Sequence, residues 1–261
     1  EFAGEVLFNG ENVSSLSTRD EAEKIGFVFQ NPENQIVTDK VWHELAFGLE
    51  SLSYSKEEIR LRVSEMASFF GLSDVFYSDV AHLSGGQKQI LSLASVMALN
   101  PEVLILDEPT SRLDPIAAQK FLDTVYKINR ELGVTVIISA HNLSEVFSHS
   151  DRVIVMEDGE IISDATPGET GKRLYELESD MFAALPTPMR AYFSKENDLP
   201  CPITVREGRD WLQKMPKCEK PEIKSEERNN GSPVLEVSEC FFRYEKNSRD
   251  ILAGLNLNLN E

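Results

Sequence analysis

The stretch VLILDEPTSRLD, Val103 to Asp114, sets four apolar residues directly before two adjacent acids. A short, wholly apolar run of this kind fits a strand buried on both faces, as in a parallel sheet covered by helices. VTVIISAH, Val134 to His141, repeats the pattern about thirty residues later. Between the two runs the residues spell out a helix: Asp114 can cap it, Pro115 suits its first position, and Gly133 suits its stop. Its apolar residues Phe121, Leu122, Val125 and Leu132 recur at helical spacing. Strand, helix, strand at this length predicts a βαβ crossover with parallel strands. Both strands turn polar at their C-terminal ends, at Asp107 and Glu108 and at His141. Open α/β sheets bind ligands at that edge.

Working outward, RVIVMEDGEII reads as a hairpin turning at Asp158–Gly159. SKEEIRLRVSEMASFF reads as an amphipathic helix opened by a capping box of Ser55 and Glu58. Its buried stripe is Ile59, Val63, Met66, Ala67 and Phe70. GEVLFNG near the start suggests one strand. After about Ala165 the composition shifts, and residues 166–233 carry most of the chain's 12 prolines. That region reads as a linker with short helices, one opened by a capping box of Thr204 and Glu207. KCEKPEIKSEERNNGSP looks largely flexible. From Val234 onward two alternating strands surround a turn.

The bulk composition narrows the classes. A net charge of −18 at pH 7 argues against a nucleic-acid groove or an anionic membrane surface as the main partner. A hydrophobic content of 41% suffices for a real core. No apolar run approaches the roughly 18 residues of a spanning helix, and EFAGEVLFNG does not read as a secretory leader. Cys201, Cys218 and Cys240 lack the close Cys/His spacing of a zinc site, and a reduced chain in the cytosol is expected.

LSGGQKQ, Leu83 to Gln89, is the second informative stretch. Ser84 and Gln87 make a capping box for a helix running to about Leu99. Capping leaves Gly85 and Gly86 unexplained, since glycine costs about 1 kcal/mol against alanine inside a helix. A helix N-terminus with bare N–H groups is a natural phosphate site, and two glycines there admit a close approach. Asp107 is placed to hold magnesium, and Glu108 to orient and deprotonate a water. His141 gains weight from its position beside those acids. Gln30, in FVFQNPENQ, follows its own short apolar run.

Taken in order, Gln30, LSGGQ, LILDEP, SRLD and His141 closely resemble the nucleotide-binding domain of ABC ATPases, over about residues 4–165. NPENQIVTDKVWHELAFGL looks more particularly like the energy-coupling factor ATPases, which drive bacterial uptake of vitamins and of cobalt or nickel ions. The resemblance implies an α/β, P-loop NTPase-like parallel sheet with an α-helical subdomain, here incomplete. To it are added a helical linker and a C-terminal β-hairpin. It implies a first ABC domain at 1–165, a linker at 166–233, and the opening strands of a second ABC domain at 234–261.

Residue by residue, Asp107 would hold magnesium, and Gln30 would contact magnesium and the attacking water. Glu108 would be the catalytic base, and His141 would contact the γ-phosphate. Ser84, Gly85, Gly86 and Gln87 would contact ATP bound by the opposite domain. Ser111 and Asp114 match the loop linking the two sites, and Tyr244 matches the aromatic that stacks on adenine. Arg112 stands where the family commonly has alanine.

The implied cofactors are ATP and Mg2+. The implied partners are membrane-embedded transmembrane coupling and substrate-binding subunits and a second ABC domain of the same chain, with no nucleic acid. The implied place is the cytoplasmic face of the membrane, peripherally bound. A phosphate-binding loop of the form G-x-x-x-x-G-K-[ST] is expected upstream of Gln30 and is not found there. The one look-alike, TPGETGKRL, departs from the pattern and falls after His141. The stretch therefore reads as starting after one such loop and stopping before the next, and on its own it is expected to be inactive.

A soluble tandem ABC protein acting on the ribosome is the alternative. Its basic linker is not matched by residues 166–233, with 11 basic and 12 acidic residues. A DNA-repair ATPase would need a coiled coil that residues 31–82 are too few to supply.

Overall fold

The computed structural model describes residues 4–141, 143–215, 232–244, 246 and 250–260. They fall in two compact units, Glu1–Met215 and Pro216–Glu261. Cys218 and Lys217–Gly231, the body of the segment read as flexible, lie outside the described residues.

The first unit opens with β1 (Leu7–Phe8) and β2 (Glu11–Asn12), paired antiparallel. GEVLFNG thus holds the one strand expected of it, and the partner strand begins just past it. Asn9 and Gly10 both take positive φ, 49° and 86°, which is the backbone of the two-residue turn that Asn-Gly favours. Then come α1 (Thr18–Lys24), β3 (Ile25–Val28), α2 (Val41–Ser51), α3 (Lys56–Phe69) and α4 (Gly85–Met97). The chain returns through β4 (Val103–Asp107), α5 (Pro115–Leu132) and β5 (Thr135–Ser139).

The three longer strands form a parallel sheet in the order β3-β4-β5. Gly26 lies opposite Leu104, Val28 opposite Leu106, and Asp107 opposite Ser139. One face is sealed: Val28, Leu104 and Leu106 are fully buried with Leu45 and Leu49 of α2, Leu91 and Leu93 of α4, and Ile128 of α5. Each such side chain contributes about 1.5–3 kcal/mol by leaving water. Gly26 sets how closely α4 lies on the sheet, because a Cβ there would stand 2.5 Å from Val96 Cγ1. On the other face Phe27 is 40% and Ile137 55% exposed. The sheet is thus not buried on both faces by the described residues; its fully buried side chains all lie on the face that α2, α4 and α5 cover.

The helix signals are realised locally. Ser55 and Glu58 form the capping box of α3, and its stripe points inward with Val63 and Ala67 buried and Ile59 and Met66 half-buried. Asp114 caps α5, Pro115 is its first residue, and Gly133 ends it at φ 71°. Phe121, Leu122 and Val125 are buried, but Leu132 is 48% exposed. The last α5 member of the core is Ile128, so the stripe overruns the layer beneath it.

The rest of this unit builds a second core. After α6 (Leu143–Val146), β6 (Val153–Glu157) and β7 (Glu160–Ala165) pair through Asp158 and Gly159, both at positive φ. α7 (Pro167–Glu176), α8 (Thr187–Phe193) and α9 (Val205–Lys214) follow. Leu143, Phe147, Val155, Leu174, Leu185 and Met189 are its buried centre. The second unit holds β8 (Pro233–Phe242) and β9 (Leu252–Asn260), an antiparallel pair with register shifts. Among the described residues no helix is long and apolar enough to cross a membrane.

Candidate functional site

The parallel register brings the C-terminal ends of β4 and β5 together, and the polar residues gather there. Ser139 Oγ donates to Asp107 Oδ1 at 2.8 Å and accepts from the Glu108 N–H at 2.9 Å. Glu108 takes φ 41°, a left-handed conformation that costs a non-glycine residue about 1–3 kcal/mol. Its carbonyl is held by Ser111, which donates both its N–H (3.2 Å) and its hydroxyl (3.0 Å). Held this way, the Glu108 carboxylate stands between two partners. His141 Nε2 lies 2.6 Å from Oε1, a contact that places the imidazole proton on Nε2. Gln30 Nε2 donates to Oε2 at 3.0 Å.

Gln30 follows β3, and its neighbour Phe29 is tied on both sides. The Phe29 N–H donates to Gln35 Oε1 at 3.0 Å. Its carbonyl accepts from Gln89 Nε2 at 3.1 Å, and Gln89 is buried in α4. Gln35 Nε2 closes the loop on the Phe27 carbonyl. A glutamine side chain is flexible, so anchoring its neighbour's backbone is what makes its approach to Glu108 repeatable.

A second cluster forms at the N-terminus of α4. Ser84 and Gln87 cap the helix reciprocally: the Ser84 N–H donates to Gln87 Oε1 and the Gln87 N–H to Ser84 Oγ, at 2.9 and 3.3 Å. Capping is therefore realised, and it leaves the first-turn N–H groups of Gly85 and Gly86 without an intrahelical acceptor. Nothing lies within 4 Å of a Cβ built on Gly85, while one on Gly86 would meet Ala117 Cβ at 3.0 Å. Ser84, Gly86, Gln87, Asp114, Ala117 and Lys120 line a cleft of about 520 Å³. Asp114 spends one oxygen on α5, accepting from the Ile116 and Ala117 N–H groups, both at 3.0 Å.

A family model described as ABC transporter matches residues 1–111. An ABC transporter ATP-binding protein of Bacillus thuringiensis subsp. konkukian is 39% identical over 262 residues, 98% of this chain and 46% of that protein. The energy-coupling factor transporter ATP-binding protein EcfA2 of Methanospirillum hungatei is 40% identical over 195 residues, 74% of this chain and 48% of its own length. Among solved structures, cbiO1 of Clostridium perfringens, part of the ABC transporter complex cbiONQ, superposes with a TM-score of 0.60 at 32% identity. That match covers 67% of this chain and 71% of cbiO1. The chain belongs to the ABC transporter ATP-binding protein family.

An ATP-binding cassette solved as a dimer with ADP and Pi is also similar, at TM-score 0.55 and 29% identity, over 63% of this chain and 74% of that one. The fold is that of an ABC ATPase domain with a C-terminal β-hairpin. The chain spans about half the length of the curated relatives it matches.

The structure joins Gln30, Asp107, Glu108 and His141 at one sheet edge and sets Ser84, Gly85, Gly86 and Gln87 at one helix end. Tyr244 belongs to the second unit, where it is 79% exposed and meets Phe242 edge-on, ring centroids 5.1 Å apart. The look-alike TPGETGKRL is not a loop in this ABC protein. Thr166 and Glu169 cap α7, and a Cβ on Gly171 would lie 2.3 Å from Met189 Cε. That glycine serves packing.

Four residues at these clusters escaped the sequence reading: Ser139, Gln35, Gln89 and Lys120. Gln89 left a trace, a polar residue four before Leu93 on the buried face of α4. The others left none, because their roles depend on what the fold sets beside them.

Proposed function

We propose that the chain is part of an ATP-hydrolysing energy-coupling subunit of an ABC importer, one that drives uptake of a small vitamin or metal ion through membrane partners. The observation that carries this reading is the Glu108 carboxylate, set between His141 and Gln30 with Asp107 adjacent. Likeness to EcfA2 and to cbiO1 supports the importer type. The relatives' roughly double length supports a parent with two ABC domains in one chain. The peripheral place on the cytoplasmic membrane face, the transmembrane coupling and substrate-binding subunits, and the absence of a nucleic-acid partner belong to the same reading.

The residues present suit Mg2+ and ATP. Asp107 offers a carboxylate at the solvent-facing strand end, and Gln30 an amide oxygen, both hard donors of the kind magnesium takes. Bound magnesium would neutralise charge on the phosphates. Glu108 receives a proton from the attacking water on Oε2, the oxygen that Gln30 now holds. His141 holds Oε1 and would contact the γ-phosphate of a bound nucleotide. Ser84, Gly85, Gly86 and Gln87 serve a nucleotide held by a facing ABC domain, Ser111 and Asp114 link the two sites, and Tyr244 would stack on adenine in the second domain.

The test is the ATPase rate of the full-length protein beside its Glu108→Gln variant. Loss of a general base costs about 10²–10⁴-fold, so kcat should fall by at least about 100-fold with ATP still bound. Turnover indifferent to the change would remove Glu108, and the site built on it, from the hydrolytic role.

A further inference from the structure

Ser139 ends β5 directly opposite Asp107 in the parallel register. A hydroxyl has one proton to give and two lone pairs to accept with, and here both functions are used on neighbouring residues of the site. The proton goes to Asp107 Oδ1 at 2.8 Å, and a lone pair receives the Glu108 N–H at 2.9 Å. One side chain therefore does two things. It fixes the rotation of the Asp107 carboxylate, and it holds the amide that enters the left-handed turn at Glu108, φ 41°. That turn delivers the Glu108 carboxylate to His141 and Gln30.

The Glu108 carbonyl is pinned separately by Ser111, so Ser139 and Ser111 grip the two peptide ends of the strained residue. Without the Ser139 hydroxyl, the backbone at Glu108 loses a restraint, and Asp107 can turn its oxygens freely.

We infer that Ser139 is a positioning residue for ATP hydrolysis: its hydroxyl aims the magnesium carboxylate of Asp107 and the base Glu108 together. The inference rests on the function proposed above. It makes the two acids one mechanical unit tied across the β4–β5 edge.

The experiment compares Ser139→Thr, Ser139→Val and Ser139→Ala in the full-length protein. Threonine and valine match in shape and differ in the hydroxyl, so their contrast isolates the hydrogen bonds. Two readouts are taken: kcat and KM for ATP, and the affinity for Mn2+ in the presence of a non-hydrolysable ATP analogue. Residues that orient metal ligands typically change affinity or activity by about 10–100-fold when removed.

Ser139→Val and Ser139→Ala should lose at least about 10-fold in kcat with KM little changed, and should bind Mn2+ about 10-fold more weakly. Ser139→Thr should keep both near wild type. Equal behaviour of the Thr and Val variants in both readouts would overturn the inference, and thermal melting of each variant identifies one that has merely unfolded. In that case the Ala variant, which adds no bulk, decides. A wild-type protein that hydrolyses no ATP would sink the functional reading and this inference with it. An active wild type that is silenced by Glu108→Gln but indifferent to the Ser139 changes would sink the inference alone.

Discussion

At Cys201 the surroundings set the chemistry. The side chain packs against the second core of the first unit, and burial, aided by the negative charge of Glu207, pushes its thiol from 9.0 up to about 11. The thiolate is the reactive form, so at pH 8 the fraction available is about 100-fold below that of an ordinary thiol. Iodoacetamide labelling followed by peptide mass analysis should find Cys201 modified far more slowly than the same peptide in urea. The rate should climb as pH rises toward 11. Because the folded state holds this proton more tightly, its contribution to stability is complete below about 9 and is lost as pH rises through about 11.

The same scale shows how unevenly the site can be read. Glu108 and His141 stand out by their order along the chain. Ser139 in TVIIS looks like any strand residue until β4 and β5 are set in register. Glu44 is likewise unreadable in advance: it is buried in α2 and accepts the Val37 and Thr38 N–H groups at 3.1 and 2.9 Å.

At the scale of single elements the signals are strong because the forces are local. The capping boxes of α3, α4 and α9 close between residues three apart. The hairpin of β6 and β7 turns at Asp158 and Gly159 because consecutive positive φ angles reverse the chain in the sense that strands twist. Elsewhere an element's surroundings decide. Leu132 lies in phase with the buried stripe of α5 but beyond its core, and the open side of the sheet follows from which helices are present to cover it.

Packing between elements makes its own prediction. Gly26→Ala would push a methyl group to 2.5 Å from Val96 Cγ1 and within 3.2 Å of Leu104 Cδ1 and Pro101 Cγ. Forcing α4 away from β3 costs about 1–3 kcal/mol in a close-packed interior. The urea midpoint should fall accordingly, and Val96→Ala in the same chain should recover part of the loss.

For the molecule as a whole, what matters is which parts are present together. None of the 261 residues reads G-x-x-x-x-G-K-[ST], and the backbone N–H groups and lysine of such a loop supply much of the grip on the β- and γ-phosphates. Purified residues 1–261 should therefore show Mg-dependent ATP turnover indistinguishable from their own Glu108→Gln variant, in a phosphate-release assay sensitive to about one turnover per hour. A clear difference between the two would mean that the edge of β4 and β5 binds ATP productively without that loop.

Family, parallel sheet, helix ends and hairpin turns were all written in short windows of residues, because caps, turns and periodicity act over three or four positions. The clamp of Ser139 on two acids, the bracing of Gln30 through Gln35 and Gln89, and the glycine that seats α4 on β3 were not. Apart from the short reach of Gln35 to Phe27 and Phe29, these contacts join residues brought together by the packed sheet, 78 positions apart in the case of Gln30 and Glu108, and no local pattern along the chain encodes such a meeting.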